Sequence, residues 1–226
     1  ESLPKPKSIL IFSAHWETDK LAFGQTSDHH ELVYDFGGFP QSLYEIQYPA
    51  PGAAELIQPI KQLLKEVYQC VSLDRGLDHG VWVPLLHMWP AADIPILQMT
   101  MPHTFSDRDL FNLGRMLSPL REQEILISAS GTLTHKLREW NPKHSGQPES
   151  WALEFDNWVR QILLDKDSEA LINWQLQAPQ LKRNHPTAEH FRPLLIVVGA
   201  AQNDDVIFPI EGFENGMFSK RSVQFG

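Results

Sequence analysis

The residues best placed for chemistry in this sequence begin with a histidine that closes an apolar run. Residues 9–12 (Ile-Leu-Ile-Phe) carry large apolar side chains, and Ser13-Ala14-His15 follows them directly. An apolar run without polar alternation is typical of a strand buried on both faces, as in parallel α/β sheets. Because such strands end at the edge where open α/β folds bind ligands, we expect His15 to lie in a functional site. A histidine that only satisfies a backbone carbonyl at a strand end is the open alternative.

Three further histidines have a comparable setting. His135 follows the apolar run 125–128 and a turn of small residues, and His79 lies at the start of a predicted helix. His190, beside Glu189, falls in the first turn of a helix predicted over Thr187–Val198, with Thr187 as N-cap. Imidazoles at the ends of separate elements can converge on one ion, and neutral histidine suits iron and zinc. Because no HExxH spacing is present, this metal prediction depends on topology alone.

The remaining histidines are interpreted as packing or surface residues. His87, between Leu86 and Met88, is predicted to pack in the core. His185 is predicted to lie at the surface, with a position behind the metal ligands as the alternative, since it closely precedes His190. The others fall in polar stretches and are expected in loops or in solvent: His29, His30, His103 and His144.

The elements that must position these residues alternate between strand and helix. The patterns predict strands at 9–16, 21–25, 71–73, 94–99, 125–128, 206–210 and 218–224, and helices at 53–68, 81–88, 107–120, 151–164, 168–177 and 187–198. The stretch 194–198 fits a strand equally well. We therefore predict an α/β fold: one catalytic domain over residues 1–226, with a central mixed β-sheet flanked by helices.

Composition excludes several classes of protein. A formal charge of −9, from 19 basic and 28 acidic residues without a basic stripe, argues against nucleic acid as a partner. No apolar run is long enough to span a membrane, and the polar opening residues show no signal peptide. Cys70 is the only cysteine, which rules out an intramolecular disulfide and fits a reducing compartment, hence the cytoplasm.

Two competing chemistries lack their motifs. Ser128, Ser130 and His135 supply groups for a nucleophilic hydrolase, but no G-x-S-x-G turn is present. Neither a GxGxxG nor a Walker A pattern occurs, which argues against phosphate binding.

Seven motifs in order carry a resemblance to a known family. They are Ser13-Ala14-His15-Trp16-Glu17-Thr18-Asp19, Tyr34-Asp35-Phe36-Gly37-Gly38-Phe39-Pro40, Tyr48-Pro49-Ala50-Pro51-Gly52, Leu77-Asp78-His79-Gly80-Val81-Trp82-Val83-Pro84-Leu85, Ala92-Asp93-Ile94-Pro95, Ser130-Gly131-Thr132-Leu133-Thr134-His135 and Pro186-Thr187-Ala188-Glu189-His190-Phe191-Arg192-Pro193-Leu194. Together they span nearly the whole chain. The sequence resembles the class III (LigB-like) extradiol ring-cleavage dioxygenases, specifically the DOPA 4,5-dioxygenase branch.

This resemblance implies a non-haem metal site and a reaction. The metal would be Fe2+, with Zn2+ as the alternative found in bacterial relatives. His15, His135 and His190 would be its ligands, with Glu189 as a substitute ligand. His79 would be the acid/base histidine, a role that His135 would share near the ion. The substrates would be O2 and a catechol such as L-DOPA, and the product a muconic semialdehyde.

One family feature has no match here, and some alternatives stay open. The family has an upstream strand ending in a His-Gly-Ser/Thr-Pro motif, whose histidine is a ligand, and we expect this N-terminal strand to be missing from the chain. The alternative functions are a non-catalytic metal-binding member of the same fold and a zinc hydrolase. The last two strands, 206–210 and 218–224, are predicted to face each other across a turn at Glu214-Asn215-Gly216. They either pair with a second subunit, forming a homodimer, or close the sheet.

Overall fold

A computed structural model of the chain describes residues 4–27, 31–139 and 147–226. His29, His30 and His144 lie outside the described residues. The chain divides into two compact units, the first comprising Glu1–Ser106 and Met116–Ser130, the second Asp107–Arg115 and Gly131–Gly226. The expectation of one catalytic domain over residues 1–226 stays a prediction.

The elements have the following bounds. The strands are β1 (Ser8–Thr18), β2 (Ala22–Phe23), β3 (Leu32–Val33), β4 (Val71–Ser72), β5 (Leu77–Asp78), β6 (Ile96–Pro102), β7 (Ile125–Ser130), β8 (Val206–Ile207), β9 (Phe213–Glu214), β10 (Phe218–Ser219) and β11 (Gln224–Phe225). The α-helices are α1 (Ile57–Leu64), α2 (His79–Met88), α3 (Asp107–Leu117), α4 (Ser150–Leu164), α5 (Ser168–Ile172), α6 (Trp174–Gln177), α7 (Leu181–Asn184) and α8 (Pro193–Ala201). Turns of 3₁₀-helix lie at Gln41–Tyr44, Ala54–Leu56, Ser118–Gln123 and Leu137–Glu139.

A mixed sheet organises the first unit. Its described residues form five strands in the order β4-β2-β6-β1-β7. The central strand β1 runs parallel to both β6 and β7, whereas β2 is antiparallel to β6 and parallel to β4. The predicted α/β fold with a central mixed sheet and flanking helices is confirmed.

Strand β1 is buried on both faces, as its apolar run predicts. Residues 9–12 are each at most 2% exposed. On one face, Ile9 and Ile11 belong to a cluster with Val81 and Trp82 of α2. Burying each such side chain contributes about 1.5–3 kcal/mol, so β1 is firmly held in the unit. This rigidity fixes the backbone that leads into His15.

In the second unit, helices α3 and α8 approach each other through two glycines. A Cβ on Gly114 would lie 2.0 Å from the carbonyl oxygen of Ile196, and a Cβ on Gly199 would lie 2.1 Å from that of Phe111. Backbone contact this close leaves no room for any side chain. The glycines therefore set the distance at which α8, which follows the His190 segment, packs.

We expect Gly199→Ala to lower the free energy of unfolding by about 1–3 kcal/mol, because the added methyl group forces the two backbones apart. Urea denaturation followed by circular dichroism measures this loss. Gly37→Ala is the matched control, since nothing lies within 4 Å of its Cβ position. Equal midpoints for the two variants would contradict the close packing.

The C-terminal strands pair as the sequence predicts. Residues 206–210 and 218–224 run antiparallel on either side of the Glu214-Asn215-Gly216 turn, and β9 pairs with β10 next to that turn. Asn215 and Gly216 have φ angles of 48° and 67°, as a tight hairpin turn requires. Strand β8 pairs with β11, antiparallel, at the far end of the same hairpin. Between the two strand pairs, the backbone N–H groups of Lys220 and Ser222 donate to the carbonyl oxygens of Gly212 and Ile210. In the described part of the chain, no helix combines the length and apolar character needed to cross a membrane.

Candidate active site

In the first unit, the second half of β1 is held by a buried polar network. Asp78, which is fully buried, accepts hydrogen bonds from Ser13 Oγ at 2.7 Å and from Gln98 Nε2 at 2.5 Å. The backbone N–H of His15 donates to Ser13 Oγ at 3.2 Å. This network ties the residues before His15 to the start of α2, where His79 is the first helical residue.

Gly80 allows this start of α2 to approach the strand closely. A Cβ at Gly80 would lie 2.6 Å from Ser13 Oγ and 3.0 Å from Cδ2 of His15. Any side chain here would push α2 away from β1. The Asp-His-Gly sequence therefore has a structural explanation for its glycine as well as a chemical one for its histidine.

His15 and His79 lie side by side, with Asp35 against both. The ring centroids of the two histidines are 4.2 Å apart. Oδ1 of Asp35 accepts hydrogen bonds from the backbone N–H of His79 at 3.1 Å and from its Nδ1 at 2.7 Å. Oδ2 of Asp35 lies 3.6 Å from Nδ1 of His15. One potential ligand atom from each of the three residues lies within 4.8 Å of the others.

The electrostatics of this group favour a neutral His15 and an ionised Asp35. Burial, followed by the nearby His79, lowers the pKa of His15. Burial alone would raise the pKa of Asp35, but the hydrogen bonds from the side chain and backbone of His79 lower it further than burial raises it. A neutral imidazole is the form that binds a metal, and a carboxylate is the form that can only accept hydrogen bonds.

In the second unit, His135 and His190 stack with ring centroids 3.5 Å apart and an angle of 21° between their planes. Glu189 completes a group whose potential ligand atoms lie within 4.8 Å of one another. One carboxylate oxygen of Glu189 accepts a hydrogen bond from Thr187 Oγ1 at 2.8 Å.

Close backbone contacts hold these two histidines. The backbone N–H of Thr132 donates to the carbonyl oxygen of His190 at 3.0 Å, and a Cβ on Gly131 would lie 2.2 Å from that oxygen. The backbone N–H of His135 donates to the carbonyl oxygen of Asn184 at 2.9 Å. Both segments are thereby fixed relative to each other within this unit.

The helix predicted over 187–198 is wrong in its start. The structure has bends and turns at 186–192, and α8 begins at Pro193, so Thr187 is not an N-cap and His190 precedes the helix. Proline favours the first helical position because its missing N–H has no intrahelical partner there. The open choice of strand for residues 194–198 is resolved as helix.

His185 is buried rather than at the surface, and the surface prediction is wrong. It is 5% exposed, with Phe155, Trp174 and Phe191 around its ring at centroid distances of 5.2, 5.4 and 5.5 Å. Its Nε2 lies 2.7 Å from the carbonyl oxygen of Leu133 and donates to it. Burial lowers the pKa of His185 to about 4. His185 therefore stays neutral and holds the segment that leads to His135.

This buried histidine predicts a pH-dependent stability. An unfolded histidine titrates near pH 6.5, so between about pH 6.5 and 4 the unfolded chain binds a proton that folded His185 does not. Stability therefore falls as the pH falls through this window, by up to about 3 kcal/mol from this residue. We expect urea denaturation of metal-free protein to show this loss, and His185→Gln to remove it. The exposed His87→Gln is the control; an unchanged pH dependence in His185→Gln would contradict the assignment.

His87 is exposed on α2, so the prediction that it packs in the core is wrong.

The structure places the histidines predicted at the site in two groups. His15 and His79 lie together in the first unit, and His135 and His190 lie together in the second. The sequence analysis did not predict that Asp35 contacts His15 and His79. Its place in the Tyr34–Pro40 motif was the feature that could have indicated a role at the site.

The chemistry of the donors fits a divalent metal ion. Each group combines two imidazoles with one carboxylate, which is the donor set of non-haem Fe(II) oxygenases. In the first group, Asp35 accepts hydrogen bonds from two donors of His79, whereas in the second group Glu189 accepts a hydrogen bond from Thr187. The histidines of both groups are therefore suitable as ligands.

Comparison with known proteins identifies the class to which these features belong. Residues 2–226 match the family described as the catalytic LigB subunit of aromatic ring-opening dioxygenase, and the chain belongs to this family. The resemblance expected from the motifs is confirmed.

Named relatives refine this result. The chain is 39% identical over 225 residues to a 4,5-DOPA dioxygenase extradiol of Beta vulgaris, covering 98% of this chain and 83% of that protein. It is 38% identical over 233 residues to a protein of the same name from Escherichia coli K12, covering 100% and 84%. The crystal structure of the uncharacterized protein JW3007 from Escherichia coli K12 matches with a TM-score of 0.82 and 32% identity, covering 99% of this chain and 88% of that one.

Proposed function

We propose that this protein is an extradiol dioxygenase that cleaves the ring of a catechol such as L-DOPA with O2, giving a muconic semialdehyde. The relatives named as 4,5-DOPA dioxygenases support the substrate class. The observation that carries the proposal is the pairing of His79 with His15 at a centroid distance of 4.2 Å, which places a proton acceptor beside an expected metal ligand.

The proposed ligands are His15, His135 and His190, for Fe2+ or alternatively Zn2+, with Glu189 as substitute. The stacked pair of His135 and His190 with Glu189 beside it supports this choice. Divalent iron, when bound, supplies the redox chemistry through which dioxygen reacts with a catecholate. All three histidines are uncharged donors when neutral, and burial of His15 keeps it so.

His79 is the proposed general base and acid. Its Nδ1 is occupied by Asp35, which leaves Nε2 to accept a proton from a catechol hydroxyl and to return one later. We propose that His135 shares this proton transfer.

The reaction balances without other co-substrates. The ring C–C bond that breaks joins one hydroxyl-bearing carbon to the adjacent carbon that carries no hydroxyl group. Both atoms of dioxygen enter the product, one in the new carboxyl group and one in the new aldehyde.

Aromatic side chains on the Tyr34–Pro40 segment offer an apolar wall for such a ring. Phe36 contacts His79 edge-to-face with centroids 5.5 Å apart, and Phe39, 56% exposed, contacts Phe36 at 5.7 Å. Aromatic rings pair well in this geometry. We propose that Tyr34, Asp35 and Phe36 line the catechol pocket.

We also propose that the protein is cytoplasmic, because its single cysteine, Cys70, is a free thiol and free thiols suit a reducing compartment.

Anaerobic reconstitution with Fe2+, followed by oxygen-electrode measurement with L-DOPA, tests this proposal. We expect uptake of one O2 per L-DOPA and a yellow product, and no uptake by protein loaded with Zn2+. Fully iron-loaded protein that consumes no oxygen with L-DOPA or simpler catechols would overturn it in favour of a zinc hydrolase or a non-catalytic member of the family.

A further inference from the structure

Asp35 is brought to His79 by a short strand pair in the first unit. Strand β3 runs parallel to β5, with Leu32 opposite Leu77 and Val33 opposite Asp78. The chain leaves β3 into Tyr34-Asp35 and leaves β5 into His79. The pairing of β3 with β5 therefore brings Asp35 and His79 side by side, although they are far apart in sequence.

The Asp35 loop is anchored on both sides of this contact. The hydroxyl of Tyr34 donates to the carbonyl oxygen of Ile46 at 2.5 Å, and the indole N–H of Trp82 donates to the carbonyl oxygen of Val33 at 3.4 Å. These bonds fix the backbone from which Asp35 projects. The carboxylate therefore stands at a defined position rather than on a free loop.

Asp35 also caps helix α2. The first N–H groups of a helix lack intrahelical partners, and Asp78 in the N-cap position makes no side-chain cap bond. Oδ1 of Asp35 accepts the backbone N–H of His79, the first residue of α2, at 3.1 Å. A negative charge at this helix end is also favoured by the helix dipole. One oxygen thus holds both the backbone and the ring of His79.

The hydrogen bond to the ring determines which nitrogen of His79 carries the proton. Ionised Asp35 can only accept, so the 2.7 Å contact places a proton on Nδ1 of His79 and leaves the lone pair on Nε2 in the neutral ring. Oδ2, 3.6 Å from Nδ1 of His15, is too distant for a hydrogen bond but attracts a proton to that nitrogen. Carboxylates behind metal-binding histidines orient ligands in this way.

We infer that Asp35 is a positioning residue, which fixes the ring orientation and tautomer of His79 and His15 so that their Nε2 atoms face substrate and metal. The inference rests on the proposed function for the roles of the two histidines. The tautomer itself does not depend on that function and is measured separately.

The test compares Asp35→Asn and Asp35→Ala with wild-type protein. Asparagine keeps an acceptor oxygen for both His79 donors, whereas alanine removes it. The control is Glu45→Ala, which removes an exposed carboxylate from the following segment. Long-range ¹H–¹⁵N spectra of histidine-labelled, zinc-loaded protein report the tautomer of His79, which a His79→Gln sample identifies. Zinc affinity and steady-state oxygen uptake with L-DOPA after loading with Fe2+ are measured on the same variants.

We expect His79 to carry its proton on Nδ1 in wild-type, Glu45→Ala and Asp35→Asn proteins, and to lose that preference in Asp35→Ala. We expect kcat of Asp35→Ala to fall by about 10–100-fold, with KM little changed and with substantial rescue in Asp35→Asn. A wild-type His79 protonated on Nε2, or an Asp35→Ala protein with unchanged tautomer and kcat, would overturn the inference. Loss of bound zinc in both variants would also overturn it, by making Asp35 a ligand. If Asp35→Ala fails to fold, the inference is tested by the tautomer of His79 in the wild-type protein and by the tautomer and kcat of Asp35→Asn.

Failure of the proposed function has a different signature. Wild-type protein would then show the Nδ1 proton on His79 but no oxygen uptake. The tautomer spectra would still confirm or reject the positioning role of Asp35.

Discussion

Replacing His79 with alanine lowers kcat for oxygen uptake with L-DOPA by about 10²–10⁴-fold, the usual contribution of a general acid–base residue. Metal content stays at the wild-type level, because His79 is assigned to proton transfer and not to the ion. The imidazole that the variant loses is the one whose ring centroid lies 4.2 Å from that of His15. Steady-state kinetics on iron-loaded protein and metal analysis of the same sample measure both quantities.

The matched control for this prediction lies on the same helix. His87 of α2 is exposed, so His87→Ala removes an imidazole from α2 without touching the site. It is expected to keep wild-type activity and metal content. If His79→Ala instead loses its metal, His79 is a ligand, and the assignment of proton acceptor and ligands must be reversed.

The second large effect concerns stability and lies in a buried ion pair of the second unit. Asp156 and Arg221 are 2% and 6% exposed, and Arg221 Nη2 and Nε contact the carboxylate at 2.5 and 3.1 Å. Ser219 Oγ donates to Asp156 as well, at 2.5 Å. Asp156→Ala leaves the buried guanidinium without this partner and is expected to cost about 3–5 kcal/mol of the free energy of unfolding.

Urea denaturation measures this loss, with Asp205→Ala as the control. Asp205 also pairs with a basic residue, Lys166, at 2.9 Å, but its side chain is 95% exposed. Exposed pairs contribute about 0–1 kcal/mol, so the control should change little. A loss in Asp156→Ala as small as that in the control would show that the Glu211 contact alone satisfies Arg221.

The features of the fold that could be predicted are those that depend on short, local patterns in the sequence. The uninterrupted apolar run of residues 9–12 predicts a doubly buried strand because every side chain must be covered, and the structure has it as β1. The Asn215-Gly216 turn was also predictable, since few residues adopt positive φ in succession. The pairing of residues 206–210 with residues 218–224 follows from the same turn, because a hairpin turn sets the register of the strands on either side of it.

The parts of the candidate site that escaped prediction depend on contacts between distant segments. Asp35 contacts His79 only because β3 pairs with β5, and nothing in the sequence of residues Tyr34–Pro40 predicts that pairing. His185 is buried by aromatic rings from α4 and α6, whereas the residues before it in sequence, Arg183 and Asn184, are polar. His87 shows the reverse error: α2 has apolar residues on every side, yet one face of the helix is exposed, and His87 lies on that face with Pro84 and Met88.

The central claim, ring cleavage by dioxygen, is tested most directly by isotope incorporation. Iron-loaded protein is supplied with L-DOPA and ¹⁸O2, the aldehyde is trapped at once by borohydride to prevent exchange with water, and the product is analysed by mass spectrometry. The proposed function predicts a ring-opened product that carries both ¹⁸O atoms. Intact L-DOPA, or a product labelled only from water, would contradict it.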